Sequence, residues 1–281
     1  MARFAVTQPV LPGSNRHRAF DEVAELLMFG LRRLGHEAII TPAGNLDGYQ
    51  HIVVGADLIR YIPGYDLARN AIVYNLEQLG GDSHYLDAKR DLYRDHPVWT
   101  YCKANADALE AAGLCRPPVV PIGWTPELDR VPQGVERDID VLFYGSPNTR
   151  RVKIVNDLRE AGLTVEACWE GVYGAERDAL IARAKVCLNV HFYTPPRFEI
   201  VRVGYLLGNG ACVVSESGDG DDIANPDGDW CDAVVFESYA NLVAACREWV
   251  NAPDDCAAWR EVGRDIMRSR DEARIIEEAL G

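Results

Sequence analysis

The stretch LNVHFYTPPRFEIVRVGYLLGNGACVVSE, residues 188–216, decides how the rest of the chain is read. The apolar run at 187–190 is a short buried strand, and it delivers His191 and Tyr193 into a loop broken by Pro195 and Pro196. Phe198, Val201 and Tyr205 then recur at helical spacing, with Gly208 and Gly210 at the exit, so the spacing predicts a helix over 198–207. Residues 211–214 are the next strand, and it ends at Ser215 and Glu216. Strand, loop, helix and strand in about thirty residues is the size of one parallel crossover.

Open parallel sheets collect ligands beyond the carboxyl ends of their strands. His191, Glu199, Arg202 and Glu216 all fall at or near such ends. Glu199 and Arg202 are three residues apart and share a helix face. A carboxylate there suits a sugar or ribose diol, and a guanidinium suits a phosphate held by two parallel hydrogen bonds. The same pattern also fits a solvated ion pair, and a histidine at a strand end also fits a hydrogen-bonded structural residue.

Outward from this unit, the chain alternates strand and helix twice over. Strands are read at 4–6, 37–40, 51–54, 71–74, 98–101 and 118–121, with helices at 19–34 and 105–112. The loop PVLPGSNRHR after the first strand places Asn15 and His17 beyond a strand end. Its single glycine lacks the G-x-G-x-x-G pattern for close pyrophosphate approach. The fourth strand runs directly into Glu77 and Gln78. Residues 125–137 have no period and are read as a linker. The second alternation starts with DVLFYGSPNTRR, a buried strand ending at Gly145 and Ser146, followed by a helix with Arg150, Arg151 and Lys153 at its start. Basic residues there oppose the helix dipole, which an anion at the helix start would explain; a surface charge cluster is the alternative. Further strands at 163–167 and 234–236 and helices at 175–184, 239–250 and 254–280 complete the pattern. The last helix is expected to break once. The aspartate-rich SGDGDDIANPDGDW does not match an EF-hand loop and reads as a polar loop.

Composition narrows the function classes. The chain has 281 residues, 48% of them hydrophobic, enough for one large core or two of about 130 residues each. It contains no apolar run of membrane-spanning length and no secretory leader pattern, so a cytoplasmic protein is expected. Eight cysteines without a C-x-x-C pair read as buried thiols of a reducing compartment rather than disulfides or zinc ligands. The net charge of −14 disfavours non-specific nucleic-acid binding. It is uneven, however: residues 1–124 carry 12 basic and 14 acidic side chains, and this near-neutral part leaves a polyanionic acceptor open.

The order His191-Phe-Tyr, Phe198-Glu199, Arg202, a Leu-Leu pair, Gly208 and a strand ending Ser215-Glu216 resembles the donor-site segment of GT-B type, group-1-like nucleotide-sugar glycosyltransferases. It departs from the commoner pattern, in which the acid sits nearer the glycine. YNLEQL at 74–79, followed by Ser83 and Tyr85-Leu86, resembles a segment in the N-terminal half of the same proteins, and VVPIGWTPEL resembles their exit from the first domain.

The resemblance implies an α/β fold of two Rossmann-like domains facing across a cleft: an acceptor-side domain at 1–124, a nucleotide-sugar donor domain at 138–265, and a C-terminal helix at 266–281 packing back on the first. It implies a metal-independent glycosyltransferase moving a sugar to a hydroxyl acceptor, saccharide or otherwise, with no cofactor beyond a UDP- or GDP-sugar co-substrate. Gly145, Ser146, Arg150 and Arg151 would meet the diphosphate, and Arg202 would stabilise the leaving group. Glu199 would hold hydroxyls, and His191 and Tyr193 would border the anomeric centre. Asn15, His17, Glu77 and Gln78 would line the acceptor side, with Glu77 or His17 as base if the reaction inverts. Rival readings are a DNA glycosyltransferase acting on 5-hydroxymethylated pyrimidines, a non-catalytic nucleotide-sugar binding module, and an epimerase-like enzyme.

Overall fold

Apolar runs without alternation form strands covered on both faces, the habit of parallel sheets. In the computed structural model these runs make two five-stranded parallel sheets. The structure describes residues 1–81, 83–169, 171–194, 197–218 and 230–281. The chain divides into two units, Met1–Glu127 with Arg270–Gly281, and Leu128–Ser269.

The first unit contains β1 (Arg3–Thr7), α1 (Asp21–Arg33), β2 (Glu37–Thr41), β3 (Gln50–Val53), β4 (Ile72–Asn75), α2 (Tyr85–Ala88), α3 (Arg90–Asp95), β5 (Val98–Thr100) and α4 (Lys103–Ala111). Its sheet order is β2-β1-β3-β4-β5. Phe4 pairs with Ala38 on one side and Gln50 on the other, so β1 is central and the strand order reverses between β1 and β3. Val23, Ala24, Leu26, Leu27 and Leu31 give α1 its buried stripe. The strand expected at 118–121 is reduced to one bridge, Thr100 with Val119. Pro117, Pro118 and Pro121 have no N–H to donate, so the pairing cannot propagate.

The second unit contains β6 (Ile139–Tyr144), α5 (Thr149–Glu160), β7 (Val165–Cys168), α6 (Gly174–Arg183), β8 (Ala184–Asn189), α7 (Ile200–Gly208), β9 (Val213–Glu216), β10 (Val234–Glu237), α8 (Leu242–Val250) and α9 (Pro253–Arg268). The order β10-β9-β8-β6-β7 repeats the topology of the first sheet, with the reversal between β6 and β8. Val141, Phe143, Ile154, Leu158, Val186, Leu188 and Val214 pack in its core. The segment read as a linker is seated on this unit from Leu128 onward: Leu128 and Val131 are buried, and the Asn209 side chain accepts from the Arg130 and Val131 amides at 2.9 and 3.1 Å.

The helix expected over 254–280 breaks after Arg268. α10 (Glu272–Leu280) restarts with Asp271 as its N-cap, the side chain accepting from the Ala273 amide. α10 belongs to the first unit and packs on α1. Two glycines make room for it. A Cβ on Gly30 would lie 2.6 Å from Ile276 Cδ1, and one on Gly123 would lie 2.6 Å from Glu272 Oε2.

Of the eight cysteines, Cys187, Cys212, Cys246 and Cys256 are buried as the sequence suggests, whereas Cys115 and Cys231 are exposed. Both lie outside the apolar strands and helices, so no core covers them. Among the described residues no helix is long and apolar enough to cross a membrane. Residues 195–196 and 219–229, which carry the proline break and most of the aspartate-rich segment, lie outside the described residues.

Candidate functional site

The reversal of strand order in the second sheet brings three strand ends together: Tyr144 of β6, Asn189 of β8 and Glu216 of β9. Helix α5 starts just past the first of them and α7 just past the second. Asn148 caps α5, its Oδ1 accepting from the Arg151 amide at 2.8 Å. Gly145 turns the chain between β6 and α5 at φ +148°, a conformation side chains rarely adopt. Two guanidiniums close over it. A Cβ there would meet Arg202 Nη2 at 3.0 Å and Arg151 Nη1 at 3.3 Å.

Glu199 is the N-cap residue of α7, so the helix starts two residues later than the apolar spacing predicts. Its carboxylate lies between the two arginines, 3.0 Å from Arg151 Nη2 and 3.3 Å from Arg202 Nη1. Burial opposes its ionisation, but Arg202 first and Arg151 second outweigh burial, and the pKa is held below the ordinary carboxylate value. Arg202 Nη1 also donates to Asn189 Oδ1 at 3.2 Å, and the guanidinium lies 5.5 Å from the Tyr144 ring. Arg202 keeps 20% of its side chain exposed.

Arg151 departs from the expected role. It is 2% exposed, and its donors are consumed inside the unit: Nε by the Val190 carbonyl, Nη1 by the Ser146 carbonyl and Nη2 by Glu199. Burial pushes its pKa down, to about 10, against the pull of Glu199, so it remains a cation at neutral pH. The reason is its place on α5, which turns it toward the sheet. It fixes the Gly145-Ser146 turn and Glu199 and leaves no N–H for a diphosphate. Ser146 itself is exposed.

Arg150 points the other way. It forms an ion pair with Glu216 and lies over the Tyr239 ring at 4.4 Å, while the Tyr239 hydroxyl donates to its carbonyl at 2.9 Å. Glu216 also accepts from the His191 amide at 3.0 Å.

His191 is corrected too. It is 1% exposed, and its Nε2 faces the Glu216 carbonyl at 2.9 Å. A carbonyl only accepts, so Nε2 carries the proton and Nδ1 is left as an acceptor. Nδ1 is buried with no hydrogen-bond partner among the described residues. Because the β8–β9 pairing tucks the ring beneath Glu216, His191 orders the strand ends and as folded presents no catalytic atom to solvent. Tyr193 is half-buried, its ring edge-on to Phe192 at 4.9 Å.

In the second unit, then, Gly145, Ser146, Arg151, His191, Glu199 and Arg202 form one connected cluster, with Arg150 joined through Glu216. Three guanidiniums face two carboxylates, leaving one net positive charge. Sequence reasoning missed Asn189, Asn148 and Tyr239. A polar residue ending an apolar strand and an Asn before a basic helix start were the signals for the first two.

In the first unit the candidates fall at separate strand ends. Asn15 is exposed in the loop after β1, and the His17 carbonyl accepts from Gln8 Nε2 at 2.7 Å. Glu77 and Gln78 follow β4, two strands away. The Glu77 carbonyl accepts from Asn75 Nδ2 at 2.8 Å and from Asn105 Nδ2 at 2.9 Å, and the Gln78 carbonyl accepts from Ser83 Oγ at 2.6 Å.

No protein-family model matches the chain. Two uncharacterized proteins of Acanthamoeba polyphaga mimivirus match short stretches. One is 43% identical over 56 residues, which is 20% of this chain and 6% of that protein; the other is 34% identical over 59 residues, 21% and 19% respectively. Solved structures match over the whole length. HepE of Anabaena, crystallised with UDP and glucose, has a TM-score of 0.63 at 13% identity, covering 100% of this chain and 99% of that one. AviGT4, a glycosyltransferase involved in avilamycin A biosynthesis, gives 0.59 at 18% identity, covering 100% and 96%. A DNA-modifying β-glucosyltransferase gives 0.54 at 11% identity, covering 99% and 98%. At these identities the likeness speaks for the fold, and the fold is that of the GT-B glycosyltransferases.

Proposed function

We propose that this chain is a glycosyltransferase that moves a sugar from a nucleotide-sugar donor to a hydroxyl acceptor. The observation that carries the reading is the convergence of Arg202, Arg151 and Glu199 on Gly145 at the switch point of the second sheet. A side-chain-free turn beside a partly exposed guanidinium, with net positive charge behind it, suits a diphosphate.

In this reading Arg202 contacts the diphosphate, and Arg151 acts through the charge and orientation it gives Glu199. Glu199 accepts hydroxyls of the ribose or the sugar. The bond from the anomeric carbon to the diphosphate oxygen breaks with its electron pair going to the diphosphate, whose charge Arg202 and the start of α5 stabilise. The acceptor oxygen forms the new bond, and its proton passes to a base, Glu77 if configuration inverts. A UDP- or GDP-sugar is the donor class. At DNA, the acidic balance of the chain works against a polyanionic acceptor, and the likeness to the DNA-modifying enzyme is one of fold.

Thermal melting with uridine and guanosine diphosphates tests this for the wild type, Arg202→Ala and Glu199→Ala. Free ligand at a hundred times its dissociation constant adds about 2.7 kcal/mol. One nucleotide should raise the melting temperature of the wild type, and both variants should lose that rise. Folded protein that responds to neither nucleotide would sink the reading.

A further inference from the structure

The chain has four lysines. Three of them pair with aspartates: Lys103 with Asp107 at 2.7 Å, Lys153 with Asp157 at 2.5 Å and Lys185 with Asp140 at 2.7 Å. Lys89 is different. It sits between α2 and α3 in the first unit, is 7% exposed, and its ammonium makes neither a hydrogen bond nor an ion pair among the described residues. Nζ instead faces two rings, 4.8 Å from the centre of Tyr85 and 6.0 Å from that of Tyr93. The Tyr93 hydroxyl donates to Asn75 Oδ1 at 2.6 Å, so the aromatic wall is tied to the end of β4.

Two carboxylates lie within electrostatic reach of this ammonium, Glu77 beyond β4 and Asp57 beyond the neighbouring β3. Asp57 Oδ1 is itself buried with no hydrogen-bond partner among the described residues. The two adjacent strand ends therefore hold an unsatisfied buried donor and an unsatisfied buried acceptor that do not reach each other. Leaving either group unmade is costly. A hydroxyl group, which both accepts and donates, satisfies the two at once.

We propose that the ends of β3 and β4 form a subsite for a saccharide, in which Lys89 donates to, and Asp57 and Glu77 accept from, its hydroxyls, with Tyr85 against its apolar face. This rests on the glycosyltransferase reading only in naming the bound saccharide as the acceptor. Burial pulls the lysine's pKa below its ordinary value, with Glu77 and Asp57 opposing and Arg60 assisting, so the group is held at a cost the ligand would relieve. Two carboxylates at one point repel a phosphodiester, which favours a neutral polyol over nucleic acid here.

The test uses the full chain with isotope-labelled lysine and follows the four side-chain ammonium signals by NMR, that of Lys89 being assigned by its loss in Lys89→Met. Methyl glycosides of glucose, galactose, mannose and N-acetylglucosamine are the probes. At least one should move the Lys89 signal while Lys103, Lys153 and Lys185 stay fixed, and Asp57→Asn should weaken that binding about tenfold. Lys89→Met should melt no lower than the wild type, since Met keeps the stem and removes the unpaired charge. A Lys89 signal that none of the glycosides moves, or a large fall in the melting temperature of Lys89→Met, overturns the proposal and leaves Lys89 a structural residue beside buried water. Uridine and guanosine diphosphates titrated into the same sample separate the two ideas. Nucleotide binding without glycoside binding sinks the subsite alone, and the reverse sinks the donor reading alone.

Discussion

Glu272 offers a measurable consequence of how α10 is seated. The side chain is 1% exposed at the first turn of the helix, and Oε2 accepts from the Gly123 amide at 2.9 Å. Burial pushes its pKa up from 4.5, to about 8; the Gly123 N–H and Arg270 pull it down and Asp271 adds to the rise. The folded state therefore keeps a proton that the unfolded chain gives up near 4.5. Stability from this group is fully present below that pH and is lost as pH rises through the folded value. Across the interval the loss is on the order of 5 kcal/mol, and by pH 7 about 3 kcal/mol of it is gone. That is a large share of the ~5 to 15 kcal/mol by which domains are stable. Glu272→Gln mimics the neutral acid and keeps an oxygen for Gly123. It should match the wild type near pH 5 and exceed it by several kcal/mol at pH 8. The assay is denaturant unfolding at pH 5, 7 and 8, with amide exchange of α10 assigning the transition to the first unit. A variant whose advantage is the same at all three values would refute the reasoning, because only a proton difference between the states makes it grow with pH.

Gly145→Ala should weaken nucleotide binding at least about tenfold at a folding cost of roughly 1–3 kcal/mol, because the new methyl group displaces Arg202 and the backbone is strained; melting with and without uridine or guanosine diphosphate separates the two effects. Asn148→Ala removes the cap on the Arg151 amide and should cost about 1 kcal/mol in denaturant unfolding of the second unit. Gly30→Ala gains helix propensity of about 1 kcal/mol yet should destabilise overall by ~1–3 kcal/mol, read as faster amide exchange in α10, because the methyl collides with Ile276 and Glu272.

The parallel sheets were legible because both faces of each strand are covered, so CLNV and DVLFY stand out as unbroken apolar runs. The pairing of Glu199 with Arg202 was legible too, since three residues on a helix set their distance. Arg151 was legible as a basic residue at a helix start but not as a buried one. Its partner Glu199 lies 48 residues away, and only the reversal of strand order between β6 and β8 brings them together. Charge at a helix start was read as a demand for an external anion. The fold supplies much of that demand internally, through Glu199 to Arg151 and Glu216 to Arg150. Lys89 was the least visible. In LDAKRDLYRD it reads as one charge on a solvated helix, and nothing local says that Tyr85 and Tyr93 will close over it.

The internal pairing also changes what the arginines of the second unit can do. A guanidinium wholly consumed by protein acceptors, as Arg151 is, cannot follow a charge that develops on a leaving group by moving toward it. It can only hold a fixed field. Arg202 shares Glu199 with Arg151, leans on a neutral amide oxygen of Asn189 and keeps part of its surface open. When an anion arrives beside Gly145, Glu199 still has Arg151 as its partner, so Arg202 can turn to the anion without leaving a buried carboxylate unpaired. Breaking a buried pair outright costs about 3–5 kcal/mol. The two-arginine arrangement avoids most of that cost, which is a physical reason for a second cation so deeply buried behind the one that meets the ligand. Replacing Arg151 with Met, which keeps the stem, should therefore weaken nucleotide binding although Arg151 touches no ligand, because Arg202 would then be held by Glu199 alone. Adding Glu199→Gln to that variant should recover part of the affinity. A double variant that binds uridine and guanosine diphosphates no better than Arg151→Met would show that Arg151 matters for the turn it holds and not for the charge it balances.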